Sequence, residues 1–139
     1  MKDPMTTDNI KSSDIKHFVR EQLGCACPDE VFSSIRVTRK PDLFEDMPVD
    51  YLIEIGNRLL VAVSIYDLRK INATLEQVFQ TGRAYRDSHG FNRFRLVVAT
   101  ADKETQVSIQ LVYDSLTMED EKIHFHVVEP AVLPENMGS

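Results

Sequence analysis

The chain has 139 residues, 42% of them hydrophobic and 27% charged, with a formal net charge of −6. That length and balance predict one globular domain able to bury a real core, and the acidic charge makes nucleic acid an unexpected partner because phosphate binding needs a basic footprint. No apolar run approaches the ~18 residues needed to cross a bilayer, and the polar stretch Met1 to Ser12 lacks the apolar segment of a signal peptide, so a cytoplasmic protein with no membrane partner is expected.

In chain order, residues 1–12 read as a flexible N-terminal tail, 13–128 as a single α/β domain and 129–139 as a C-terminal tail. The domain opens on a helix. Ser12, Ser13 or Asp14 offers a cap, Ile15, Phe18, Val19 and Leu23 make the apolar stripe, and Gly24 closes it. Pro28 with Asp29 and Glu30 behind it starts a short helical turn, with Cys27 near its N-cap. Ile35 to Arg39 alternates as a first strand. Lys40 to Pro48 is a loop whose Leu43, Phe44 and Met47 suit packing back on the domain.

Val49 to Ile55 and Arg58 to Tyr66 are β-rich runs around Gly56-Asn57, the signature of a tight hairpin. Asn72 or Thr74 is the expected cap of the next helix, whose stripe is Leu75, Val78, Phe79, Gly82 and Tyr85. Gly82 there would let the helix approach the sheet closely. Phe91 to Thr100 ends in a continuous apolar run, which places it in the middle of a sheet covered on both faces. Thr105 to Thr117 fits two periods: Ile109, Val112, Tyr113 and Leu116 for a helix, or Val107, Ile109, Leu111 and Tyr113 for a strand. A helix is preferred, because a parallel connection requires a crossover. Lys122 to Val128 is the last strand. The order α-β-β-β-α-β-α-β predicts an α/β fold bordering on α+β, with a mixed five-stranded sheet and helices on its faces.

The order helix, three strands, helix, strand over roughly Asp14 to Thr100, with Pro48-Val49-Asp50 opening the hairpin, resembles the core of the PD-(D/E)XK, or restriction-endonuclease-like, superfamily. That resemblance implies a divalent metal held by two acids, with a Lys one residue beyond the second acid to steady the attacking water or the phosphate. Asp50 matches the first acid. Ala62-Val63-Ser64 stands where the second acid and the Lys belong and has neither, so the resemblance implies an inactive relic of such a nuclease. Leu23-Gly24-Cys25-Ala26-Cys27-Pro28 and Gly90-Phe91-Asn92-Arg93-Phe94-Arg95 also resemble segments of small uncharacterised prokaryotic proteins, which implies no activity.

Three clusters carry candidate chemistry. Cys25 and Cys27, at the start of a helical turn, suit thiolate chemistry, a soft metal or oxidation to a small ring; buried as plain hydrophobes they would do none of these. His124 and His126 share one face of a strand and, joined to the two cysteines, would complete a Cys2His2 set for zinc or iron, with His17 as a substitute ligand. On an exposed edge strand the same histidines would be ordinary surface. Arg83, Arg86 and Arg93, near Asp87, His89 and Asn92, suggest an anion or docking surface, or a structural tie in which Arg86 and Asp87 hold the loop. No glycine-rich phosphate loop or nucleophile elbow appears, so no catalytic or cofactor-binding residue is assigned. The leading expectation is a non-catalytic protein acting through a protein partner or as a homo-oligomer, because an open sheet has two edges to cover. The alternative is a metal-binding or thiol-redox protein built on Cys25 and Cys27.

Overall fold

The structure, a computed structural model, describes residues 10–44, 47, 49–65, 68–116, 120–135 and 137, with only the backbone of 68–74. The expected caps Ser12, Ser13 and Asp14 lie inside helix α1 (Ser12–Glu21) rather than before it. Its N-cap is Lys11, with no side-chain cap bond, and Asp14 sits in the first turn, where a carboxylate suits the helix dipole. A 3-10 turn, Asp29–Ser33, follows Pro28 as the sequence predicts.

Strand β1 (Ile35–Arg39) pairs antiparallel with β2 (Tyr51–Ile55), and β2 pairs antiparallel with β3 (Leu59–Ile65). Gly56, Asn57 and Arg58 join β2 to β3, one residue more than the expected two; Gly56 and Asn57 take left-handed φ of 54° and 58°, and the Arg58 N–H donates to the Ile55 carbonyl at 3.0 Å. Helix α2 (Leu68–His89) begins ahead of Asn72 and Thr74, so neither caps it. Leu68, Arg69 and Lys70 are good helix formers and extend it toward β3. Strand β4 (Arg93–Ala99), helix α3 (Lys103–Ser115) and strand β5 (Ile123–Val128) complete the order. β3, β4 and β5 run parallel, and the sheet order is β1-β2-β3-β4-β5. The middle strand is thus β3; β4 is interior between β3 and β5. The chain is an α/β fold with a mixed sheet.

Each sheet face carries its own core. Val37, Ile53, Val61, Val63 and Val97 pack with Ile15, Phe18 and Val19 of α1 on one side. Leu60, Ala62, Phe94, Leu96 and Val98 pack with Leu75, Val78 and Phe79 of α2 and Ile109 of α3 on the other. Phe44 anchors the Pro-rich loop to this second core at 2% exposure. Leu133 and Met137 are buried in the first core, so the packed body continues beyond Val128 into the segment expected to be a tail. Among the described residues no helix is long and apolar enough to cross a membrane.

Candidate functional site

Strand β4 reads Arg-Phe-Arg-Leu-Val-Val-Ala, and its two faces receive opposite chemistry. Phe94, Leu96 and Val98 enter the core under α2 and α3. On the other face Val97 and Ala99 enter the core under α1, while Arg93 and Arg95 line a pocket of about 460 Å³. Its other walls are the Gly24–Pro28 loop, Arg58 of the hairpin turn, Leu59 at the start of β3, Asn92, and His124 of β5. No Asp or Glu is among these described lining residues.

The register of β4 against β5 sets Arg95 beside His124 and Val97 beside His126. Arg93 Nη1 donates to His124 Nε2 at 3.1 Å, and Arg95 Nη1 donates to His126 Nε2 at 2.9 Å. A guanidinium can only donate, so each Nε2 is a bare acceptor and each ring is neutral. Burial first, then the Arg95 charge, then His124, push the His126 pKa from 6.5 down to about 4. Burial, then Arg95 and Arg93, lower that of His124 too. Arg95 is 8% exposed, and burial followed by repulsion from Arg93 lowers its own pKa. It also donates to the Leu23 carbonyl at 3.0 Å, while its buried Nε finds no acceptor among the described residues.

The loop above these arginines is held from several sides. Gly24, at φ 70°, turns the chain out of α1, and the Cys25 N–H donates back to the Val19 carbonyl at 3.2 Å. Arg20 donates to the Cys27 carbonyl at 2.7 Å and pairs with Asp29 at 2.7 Å. Below it, the Arg58 carbonyl accepts from the N–H groups of Asn92 and Arg93 at 2.9 and 3.0 Å, which pins the hairpin turn to the start of β4. Cys25 and Cys27, both half-buried, are joined to each other as a disulfide.

The sequence-predicted residues meet only in part. Cys25, Cys27 and His124 line one pocket, but the set Cys25, Cys27, His124, His126 is not assembled as a zinc or iron site. Among the described residues no group of three or more His, Cys, Asp or Glu could hold a metal. The physical reason is that the sulfurs are bonded to each other, and both imidazole acceptors face guanidinium groups whose charge opposes a cation. His17 is exposed on α1.

Arg83, Arg86 and Arg93 do not form one surface. Arg86 is buried and binds Asp120 at 2.6 Å and Asp87 at 2.9 Å, which ties the end of α2 to the turn before β5. Asp120 and Asp87 hold its pKa up against the opposing effect of burial. Arg83 is exposed on α2, across the sheet from Arg93. Asp50 accepts from the Ile65 N–H at 2.7 Å and its own N–H donates to the Val63 carbonyl at 2.8 Å, closing the open end of the hairpin. Glu54 accepts from the Tyr85 hydroxyl at 2.7 Å, and burial together with this carboxylate raises the Tyr85 pKa to about 12.

Sequence reasoning missed Arg58 and the central place of Arg95. The signal for Arg95 was present, in an Arg-x-Arg alternation on a strand that a His-x-His strand could face. No family model, curated protein or solved structure matches the chain.

Proposed function

We propose that the chain is a binding domain for a small anion, whose carboxylate or phosphate group sits among Arg58, Arg93 and Arg95. The observation that carries this reading is Arg95. Burying an ionised side chain costs several kcal/mol unless charge and hydrogen bonds compensate it. Among the described residues Arg95 has two neutral acceptors, an orphaned Nε and a second guanidinium nearby, and no carboxylate lines its pocket. An incoming anion supplies the missing counter-charge. The volume of about 460 Å³ suits a ligand of metabolite size rather than a macromolecular surface.

Titration calorimetry at low ionic strength, with inorganic phosphate and with succinate, tests the reading. Binding of at least one, weakened by about tenfold or more in Arg95→Met, is expected. Replacing a buried charge with an apolar chain of similar length is commonly tolerated, so circular dichroism should show the variant folded. Absence of heat with both ligands ends the proposal.

Self-association is the second reading, and it draws on Val107 and Leu111, which are 61% and 62% exposed one turn apart on α3. Two such side chains cover far less than the ~800 Å² per partner of a standard interface. The pocket therefore has the stronger physical support, and oligomeric state in solution decides the second reading.

A further inference from the structure

The Cys25–Cys27 disulfide is the one reactive group in the wall of a pocket otherwise made of cations, amides and a neutral imidazole among the described residues. Its sequence separation is 2. A cross-link that closes so short a loop removes little entropy from the unfolded chain, so stabilising the fold is a poor reason for it. The loop does not need the bond for its shape either: Arg95 holds the Leu23 carbonyl, Val19 holds the Cys25 N–H and Arg20 holds the Cys27 carbonyl. None of those anchors runs through the sulfur–sulfur bond.

We infer that Cys25–Cys27 is a thiol–disulfide exchange centre whose substrate is a small thiol bearing carboxylates. The inference rests on the anion reading of the same pocket, because the arginines select the substrate by its carboxylates. The substrate thiolate attacks the sulfur of one cysteine. A mixed disulfide forms, the Cys25–Cys27 bond breaks, and its electron pair leaves on the other cysteine as a thiolate that takes a proton from water. Nearby guanidinium charge favours that thiolate. A second substrate thiolate then attacks the substrate sulfur of the mixed disulfide, releasing the substrate disulfide and the remaining cysteine. Two substrate thiols are oxidised to one disulfide, and the protein disulfide is reduced to two thiols. Run backwards, the reduced chain cleaves a disulfide of the same anionic class.

The test compares three thiols on the oxidised chain at equal thiolate concentration: glutathione, which carries carboxylates, neutral 2-mercaptoethanol and cationic cysteamine. Reduction is followed by the mass of the alkylated protein. Glutathione is expected to react about tenfold or more faster than cysteamine, and that preference to fall to about twofold or less in Arg58→Ala, on the exposed turn, and in Arg93→Ala. S-methylglutathione, which has the carboxylates and no thiol, is titrated in parallel by calorimetry. If it binds, while the three thiols react at equal rates, the exchange centre is overturned and the anion pocket stands. If it fails to bind and the rates are equal, both fall.

Discussion

Arg95 lines the pocket with no acid beside it among the described residues, and behind it His126 accepts its hydrogen bond on a nitrogen that a proton would have to take over. The His126 pKa is held near 4, against 6.5 for an ordinary histidine. On acidification the unfolded chain therefore takes up this proton before the folded one does. The contribution to stability is complete above pH ~6.5 and is lost as the pH falls toward ~4. After discounting for partial solvent screening it amounts to about 1–2 kcal/mol. Urea denaturation at pH 7 and pH 4.5 should show a stability loss larger by that amount in the natural chain than in His126→Gln, which keeps a side-chain acceptor for Arg95. Equal losses would mean the ring is not held neutral. The alternation of His124 and His126 was legible from strand periodicity. Their partners were not, because the β4–β5 register is set through α3, and nothing local in Lys122 to Val128 encodes which residue of β4 lies opposite.

At the scale of elements, α2 meets β4 where Gly82 lies against Phe94. A Cβ at position 82 would overlap the Phe94 ring. Gly82→Val should destabilise the fold by about 2–3 kcal/mol, because overpacking against an aromatic ring outweighs the gain in helix propensity. Thermal unfolding of the single variant and of Gly82→Val combined with Phe94→Leu measures this, and the second change should recover part of the loss. An unchanged midpoint in Gly82→Val would show that the helix is free to lift from the sheet. The stripe Leu75, Val78, Phe79, Gly82, Tyr85 was readable because the 3.6-residue period survives in sequence. The start of α2 was not, since Asn72 and Thr74 carry local capping signals while good helix formers precede them. For α3 the two periods share Ile109 and Tyr113. Burial decides between them, with Ile109 enclosed at 0% and Val107 and Leu111 exposed at 61% and 62%. Likewise the Cys25–Pro28 loop was marked by Gly24 and Pro28, but its position over Arg95 depends on a contact across 72 residues that no local pattern records.

For the molecule as a whole, the sheet leaves β1 and β5 at its edges. Covering those edges was the motive for expecting a homo-oligomer. The exposed apolar area on α3 is too small to hold two chains together at low concentration. Light scattering at micromolar concentration is therefore expected to show a monomer. A dimer that Leu111→Glu converts to monomer would establish self-association instead. The α/β class and the hairpin followed from hydrophobic periods and turn residues, which act locally. The buried end of the chain did not, because Leu133 and Met137 stand among prolines and polar residues that read as a tail, and their burial depends on space left beside α1. The order β1-β2-β3-β4-β5 has a further consequence, for the way the chain folds. Every strand after β1 pairs with the strand before it in the sequence, so a chain emerging amino end first can add each of them to a partner already made. The hairpin asks for the shortest loop closure, and the crossovers through α2 and α3 carry the larger loop-closure costs. The pocket draws on the loop after α1, the hairpin turn, β4 and β5 together. It can be complete only when β5 has docked, so a ligand acquired there would report that the whole sheet has assembled.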